Sequence, residues 1–262
     1  MGHPGRYPFY CGQLRHRGPP TVSTRAFDLN GHSIPSLGHD QTRSPRENQD
    51  VFNLAGLQST DEDKLRFSEG PLCQHSVAFI VADGVGGRDG GRWAAERAAE
   101  RLGSEIYDLN SKASVDAAVT ETSNFIRNEA PEPWQPATTA AGVALSENRI
   151  VVFGVGDSRV YGFDEAGITQ LTVDHRSRTD SRAITRFLGG PPFQCIPDTC
   201  ELDWATWHGF LICSDGFYDC LSTIDLGLLR EISPPVALDE LMQLALERGS
   251  TDNLTAVYVV AS

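Results

Sequence analysis

Four aspartates lie where an apolar run of the chain meets a turn. Asp83 follows FIVA, Asp157 follows VVFGVG, and Asp215 follows LICS. Asp252 lies on the other side of its run, just before Asn253 and LTAVYVV. A short apolar run bounded by glycines is typical of a buried strand, and an aspartate at its end is costly unless its charge is neutralised. Mg²⁺ and Mn²⁺ prefer oxygen ligands of this kind.

Each aspartate also has a simpler interpretation as a turn or cap residue. For Asp157 this alternative is a turn between two hairpin strands, at 149–156 and 159–163. Four of them at strand ends are harder to explain in this way, because like charges brought together repel. If the strands lie in neighbouring sheets and the carboxylates gather at one edge, a hard cation would hold them together; the residues alone leave open whether they converge. No cluster of histidines accompanies them, which disfavours zinc.

Composition bounds the class of protein. The chain has 262 residues, 40% of them hydrophobic, which suits one large domain or two small ones. The net charge of −13 argues against binding nucleic acid or an anionic membrane through the overall field. No apolar run approaches the roughly 18 residues of a membrane span, and no apolar leader segment marks secretion. Six cysteines without paired zinc spacing predict reduced thiols in a cytoplasmic protein.

The N-terminal part differs from the rest. Residues 1–46 carry six arginines against Asp28 and Asp40, together with six of the fifteen prolines. We expect residues 1–20 to form a disordered basic tail, with a basic docking arm as the alternative. Residues 21–262 are then expected to form a single domain.

Periodicity and turn residues predict the elements of that domain. Strands are expected at 21–29 (an edge strand), 51–55, 76–82, 138–145, 149–156, 159–163, 168–171, 210–213 and 253–260. Helices are expected at 92–109, 115–129, 181–188, 224–231 and 238–248, and a polar loop at 58–70. Dense turn signals favour antiparallel pairing of the four strands between 138 and 171. Two groups of helices between β-rich stretches favour helices packed outside antiparallel sheets.

Eight short stretches of the sequence match, in order, the motifs of a known protein family. They are, in order, ENQD (47–50), VADGVGG (81–87), ATTAAGVAL (137–145), VGDSRVY (155–161), LTVDH (171–175), ITRFLGG (184–190), LICSDGFYD (211–219) and TDNLTAVYV (251–259). Together they resemble the metal-dependent PPM family of protein serine/threonine phosphatases (the type 2C phosphatases), in its bacterial form. The resemblance implies an α+β fold, a four-layer α-β-β-α sandwich of two antiparallel sheets flanked by helices.

The same resemblance implies a metal site at one edge of the sandwich. Asp83 would bridge two Mn²⁺ or Mg²⁺ ions, and the Gly84 carbonyl would bind one of them. Asp215 and Asp252 would complete the first ion's ligands. Asp50 would act on the second ion through water. A third, weaker ion would lie at Asp157 and Asp215, and Asn253 would orient Asp252.

The sequence departs from the family pattern in three places, and the first two concern phosphate binding and protonation of the leaving group. The family usually has an arginine five residues before Asp50, where this chain has Pro45; Arg46 or Arg43 would then bind the phosphate, with a slight preference for Arg46. The alternative is that both are solvated loop arginines. Val85 replaces a histidine that many eukaryotic members use to protonate the leaving group.

The third departure is a short segment, 176–208, which we expect to form a flap beside the metals. Four arginines lie near its start, and they either form a solvated face or contact an acidic or phosphorylated substrate: Arg176, Arg178, Arg182 and Arg186. We interpret His175 as structural. Cys213 ends an apolar run, so we interpret it as a core residue and not a nucleophile.

These residues imply a reaction class. Two ions that share a water lower its pKa, and the resulting hydroxide attacks phosphorus in line. The expected function is hydrolysis of phosphoserine and phosphothreonine in proteins by a monomer that opposes a bacterial Ser/Thr kinase. Asp83, Asp215, Asp252 and Arg46 would be the catalytic residues. The alternatives are a catalytically weak member that binds phosphoproteins or senses a signal, and a module in which metal only stabilises the fold.

Overall fold

Two antiparallel six-stranded sheets form the centre of the fold. A computed structural model describes residues 27–34, 48–54, 57–59, 63–69, 76–85, 90–104, 108–131, 133–146, 149–180, 183–191 and 195–261. The first sheet has the order β4 (Asp63–Glu69), β1 (Phe27–Ile34), β12 (Leu254–Ala261), β11 (Gly209–Cys213), β8 (Arg159–Phe163) and β9 (Ile168–Gln170). The second has the order β10 (Asp198–Leu202), β7 (Ile150–Val155), β6 (Ala140–Leu145), β5 (Val77–Asp83), β2 (Asp50–Leu54) and β3 (Leu57–Gln58).

Helices cover the outer face of each sheet. On the second sheet lie α1 (Gly91–Gly103) and α2 (Lys112–Glu129). On the first lie α3 (Asp215–Tyr218), α4 (Thr223–Leu226), α5 (Leu228–Glu231) and α6 (Pro234–Glu247). A third apolar cluster lies between the sheets. The four-layer α+β sandwich is therefore confirmed. None of the helices described is long and apolar enough to cross a bilayer.

The sequence of strand β5 is apolar at successive positions instead of alternating between apolar and polar residues. Successive side chains of a strand point to opposite faces. Phe79 and Val81 pack between the sheets, whereas Ile80 and Ala82 pack beneath the helices. Because both faces are covered, every position from 79 to 82 is apolar and the polar residue comes only at the end, at Asp83.

Some predicted elements are wrong. The polar loop at 58–70 is replaced by β3 and β4; the alternation in DKLRFSE was the missed strand signal. The strand expected at 21–29 is not an edge strand, because β1 lies between β4 and β12, and it continues to Ile34. Residues 21–26 lie outside the described part of the chain.

Further differences concern three predicted helices and one missed strand. The described residues of the expected helix at 181–188 form no helix, because their backbone pairs instead in the bridges Arg176↔Ile184 and Thr138↔Leu188. Strand β10 was missed, and it lies inside the segment expected as a flap. The helix expected at 92–109 ends at Gly103, and that at 224–231 is two short helices separated by Gly227.

The connection between β7 and β8 crosses from one sheet to the other. The alternative in which β7 and β8 form a hairpin, with Asp157 as its turn residue, is therefore wrong. Gly156 begins the crossing with φ 102°, and an added Cβ would lie 2.6 Å from Thr139 Cγ2. Glycine adopts this left-handed conformation without steric cost. The crossing brings Asp157 to the edge where the two sheets meet.

Candidate active site

A cavity of about 700 Å³ lies at one edge of the sandwich. All four aspartates line it: Asp83, Asp157, Asp215 and Asp252. Asp83 ends a strand of the second sheet, whereas Asp215 and Asp252 flank strands of the first. The structure thus brings together carboxylates that are far apart in the sequence.

The backbone around Asp83 is fixed by hydrogen bonds on both sides. Its N–H donates to Thr139 Oγ1 at 3.0 Å, and its carbonyl accepts from the Thr139 N–H at 2.8 Å and from Thr138 Oγ1 at 2.9 Å. The next residue, Gly84, also lines the cavity and is buried. A Cβ on Gly84 would lie 2.4 Å from the Gly91 carbonyl carbon, so glycine permits the close approach of α1.

Asp50 lies behind the cavity rather than on its wall. It is only 1% exposed and is paired with Asp83 in the antiparallel register of β2 and β5. The Ser214 hydroxyl donates to Asp50 Oδ2 at 2.7 Å. Asp50 is therefore a buried carboxylate held by the end of a strand from the other sheet.

The carboxylates of this cluster have altered acidities. Burial raises the pKa of Asp50 to about 7, and the charge of Asp252 adds to the shift. Burial also raises the pKa of Asp215 to about 8, with a further contribution from Asp157. Burial and then the charge of Asp50 raise the pKa of Asp83 well above its ordinary value. Each shift means that the buried negative charge lacks full compensation from the protein.

This donor set suits a hard divalent cation. Carboxylates and the backbone at Gly84 provide oxygen ligands, and the cavity's excess negative charge favours a cation. In the part of the chain that the structure describes, no three acidic, histidine or cysteine side chains already converge on one ion position. Binding would therefore require side-chain rotation, while the donor chemistry fits.

Arg176 places a positive charge among these carboxylates. Its Nε donates to Asp157 Oδ2 at 2.9 Å, and its Nη2 donates to Asp215 Oδ2 at 3.4 Å. Arg178 is exposed, Arg186 pairs with Asp198 at 3.0 Å, and Arg182 lies outside the described residues. The three described arginines therefore do not share one face, and the charge of Arg176 is directed towards the carboxylates of the cavity.

Asp252 is held through the backbone of the next residue. The Asn253 N–H donates to Asp252 Oδ1 at 2.8 Å. The side-chain Oδ1 of Asn253 instead accepts from the Gln49 N–H at 3.0 Å. Asn253 thus links Asp252 to the segment that precedes β2.

Other residues singled out in the sequence lie away from the carboxylates. The Nδ1 of His175 accepts from the Gly156 N–H at 3.1 Å, and its Nε2 bonds Asp198 at 2.9 Å, which is a structural arrangement. Cys213 is fully buried in the core beneath α3–α6, where burial raises its pKa. Val85 lines the cavity, and no histidine does so among the described residues. Arg43 and Arg46 lie outside them.

Sequence reasoning missed three supporting side chains. Thr139 holds Asp83, Ser214 holds Asp50, and Tyr218 donates from its hydroxyl to the Asp157 carbonyl at 2.7 Å. Ser214 and Tyr218 lie in the motif stretch LICSDGFYD together with Asp215, and this proximity in sequence was the available signal for them. Thr139 lies in ATTAAGVAL, which contains no predicted site residue, and the partners of all three are distant in the chain.

Comparison with known proteins identifies the family. The family model for protein phosphatase 2C matches residues 58–256. The chain belongs to the protein phosphatase 2C family. The match covers most of the chain and includes the segments that carry Asp83, Asp157, Asp215 and Asp252.

Curated relatives of this protein phosphatase 2C chain come from plants, yeast and bacteria. "Probable protein phosphatase 2C 11" of Arabidopsis thaliana is 27% identical over 239 residues, covering 79% of this chain and 64% of the relative. "Serine/threonine protein phosphatase PstP" of Mycobacterium tuberculosis is 27% identical over 205 residues, covering 68% of this chain and 39% of the relative. The matched segments thus span between about two fifths and two thirds of these relatives.

Solved structures share the fold of this protein phosphatase 2C chain. The Staphylococcus aureus serine/threonine phosphatase Stp1 has a TM-score of 0.68 at 20% identity, covering 95% of this chain and 98% of that one. The catalytic domain of PstP, solved with two manganese ions, has a TM-score of 0.67 at 21% identity, covering 90% of this chain and 99% of that one. At this identity the likeness concerns the fold alone.

Proposed function

We propose that this chain is a metal-dependent phosphatase that hydrolyses phosphoserine and phosphothreonine in proteins. The observation that carries the proposal is the cavity at the sheet edge, where four carboxylates from separate strand ends meet. Membership of the protein phosphatase 2C family supports the same reaction. The partner would be a phosphorylated protein, and the enzyme would oppose a Ser/Thr kinase.

Asp83, the Gly84 carbonyl, Asp215 and Asp252 would hold Mn²⁺ or Mg²⁺, and Asp50 would act through water. When bound, a pair of such ions supplies an acidified water as nucleophile and neutralises charge on the phosphoryl oxygens. PstP, whose catalytic domain was solved with two manganese ions, is a relative of known fold. The number of ions in this chain is part of the proposal.

The protein's own groups prepare this chemistry by fixing the backbone of Asp83 and one oxygen of Asp50. Thr138 and Thr139 fix the backbone at Asp83. The buried Ser214 hydroxyl directs one oxygen of Asp50. Such preorganised supports keep the ligands in place, so little reorganisation is needed during the reaction.

Phosphate recognition is assigned to an arginine before β2. We keep Arg46 as the first candidate and Arg43 as the second, because a guanidinium binds a phosphate group through two parallel hydrogen bonds. The two arginines are distinguished by replacing each with alanine. The relevant variant should raise KM for a phosphopeptide, whereas the other should leave KM unchanged.

The central experiment measures phosphate release from a phosphothreonine peptide. We expect turnover with Mn²⁺ or Mg²⁺ and none after chelation, with recovery when the metal is restored. Folded protein that releases no phosphate with either metal would contradict the proposal. Asp215→Asn should remove turnover, whereas Glu240→Gln, at an exposed position on α6, is the matched control.

A further inference from the structure

The guanidinium of Arg176 lies between two carboxylates of the cavity. Its Nε is 2.9 Å from Asp157 Oδ2, and its Nη2 is 3.4 Å from Asp215 Oδ2 and 3.7 Å from Asp219 Oδ2. Asp157 and Asp215 belong to different connections, and Arg176 is the cation that joins them. We propose that Arg176 is a built-in cation that takes the place of a metal ion between Asp157 and Asp215. The inference rests on the proposed metal dependence and limits the site to two exchangeable ions.

The position of Arg176 is fixed by a neighbouring aromatic residue. Its Nη2 donates to the Tyr218 hydroxyl at 3.0 Å, and that hydroxyl donates to the Asp157 carbonyl at 2.7 Å. On the ring of Tyr218 lies a second guanidinium, that of Arg159, 3.6 Å from the ring centroid. Tyr218 is only 3% exposed, so this support belongs to the core. A cation held in this way loses little entropy on pairing with the carboxylates.

The backbone also fixes the start of this side chain. Arg176 forms an isolated β-bridge with Ile184, and the preceding residue, His175, is 6% exposed. The His175 N–H donates to the Gly156 carbonyl at 2.9 Å. Arg176 therefore directly follows a residue, His175, whose backbone is hydrogen-bonded to the loop that carries Asp157.

The charges of the cavity agree with this role. Among the described lining residues, five carboxylates and one guanidinium give a formal charge of −4 when all are ionised: Asp83, Asp157, Asp215, Asp219, Asp252 and Arg176. Two divalent ions balance the charge of these lining groups, and the buried Asp50 behind the wall would add one further negative charge when ionised. A third would have to displace Arg176 from its two carboxylates, leaving a guanidinium without its closest partners beside new positive charge. The pairing therefore disfavours a third ion.

The test counts bound ions rather than turnover. Mn²⁺ is titrated into the full chain until no more binds, and bound metal is measured by equilibrium dialysis. We expect two ions for the wild-type protein. For Arg176→Ala we expect three, because Asp157 and Asp215 are then free to bind a cation. Arg176→Gln keeps most of the side chain without its charge and should also bind three.

Two control variants are matched to these: one keeps the positive charge at position 176, and the other removes the positive charge of a nearby arginine. Arg176→Lys keeps a cation and should remain at two ions. Arg178→Ala removes an exposed arginine two residues away and should also remain at two. Circular dichroism of each variant checks folding, and if Arg176→Ala does not fold, Arg176→Gln decides the outcome.

The outcomes separate this inference from the proposed function. Three ions in the wild-type protein, or two in both neutral variants, would overturn the role of Arg176 while leaving metal dependence intact. No bound ion in any folded variant would overturn both. A rise from two to three ions in the neutral variants alone supports the inference.

Discussion

Asp50 and Asp83 lie directly opposite each other on adjacent strands. The antiparallel register of β2 and β5 pairs them, and Asp50 is 1% exposed. Residues paired across two strands point to the same face of the sheet. Burial and their like charges make ionisation of both carboxyls unfavourable unless a cation is present. The pairing of these two carboxyl groups should therefore affect how the free energy of unfolding of the metal-free protein depends on pH.

The metal-free protein should lose stability as the pH rises. In the unfolded chain, Asp50 and Asp215 have ordinary pKa values near 3.8, whereas folding raises them to about 7 and about 8. Below 3.8 both states bind the protons, so folding carries no electrostatic penalty. Between 3.8 and about 8 the unfolded state releases its protons first, so the free energy of unfolding decreases. Thermal unfolding in chelator, measured across this range, checks the direction.

Mn²⁺ should reverse the trend, because it binds the ionised carboxylates of the folded state. With saturating Mn²⁺, the melting temperature is expected to rise between pH 6 and pH 8 instead of falling, within the range of those two pKa values. A metal-free protein that becomes more stable as the pH rises through this range would contradict the arrangement of Asp50, Asp83 and Asp215.

Asp83→Asn should separate activity from stability. Loss of the central carboxylate is expected to lower phosphate release by at least about 100-fold, because metal ions contribute several kcal/mol to the stabilisation of such transition states. The same change removes a buried charge that burial and Asp50 disfavour, so the metal-free protein should become more stable at pH 8. Phosphopeptide turnover and thermal unfolding test both effects. Lower stability with unchanged turnover would point to a purely structural carboxylate.

Ser214→Ala should weaken metal binding without touching the cavity wall. Ser214 is fully buried, donates to Asp50 Oδ2 and accepts from the Thr255 N–H at 3.1 Å. Its loss removes the hydrogen bond to Asp50 Oδ2 and the one from the Thr255 N–H, which typically costs about 1–3 kcal/mol of stability. Loss of a residue that orients a ligand lowers metal affinity about 10- to 100-fold. Denaturant unfolding and Mn²⁺ titration measure the two effects, and Thr169→Ala on the exposed strand β9 is the control.

Gly156→Ala should destabilise the crossing between the sheets. The substitution adds a Cβ 2.6 Å from Thr139 Cγ2 at a residue with φ 102°. Gly167→Ala is a matched control, because Gly167 also has positive φ, at 146°, but has open space around its Cβ position. We expect Gly156→Ala to cost more than the roughly 1 kcal/mol typical of an incompatible backbone alone. Equal unfolding energies for the two variants would mean that contact with Thr139 adds nothing.

The sequence predicted those elements whose signal is local. The run FIVAD established β5 and its terminal aspartate, because burial on both faces demands an unbroken apolar strand. The strand at 159–163 was predicted at its observed limits. The helix predicted at 115–129 begins earlier, at Lys112, but ends at Glu129 as the prolines after it indicate. The ordered motifs also indicated the family, and the family match confirms it.

Tertiary structure decided which of these elements meet. Local turn signals left a β7–β8 hairpin as one alternative, but in the fold β7 lies between β10 and β6 of the second sheet and β8 lies between β11 and β9 of the first, with the crossing beginning at Gly156. The sequence likewise left Arg176 between solvent and substrate, whereas the fold directs it to Asp157 and Asp215. Strand periodicity is encoded within a few residues. The choice of sheet, and the pairing of one charge with another, depend on contacts between segments that are distant in the chain, so only the folded arrangement could determine them.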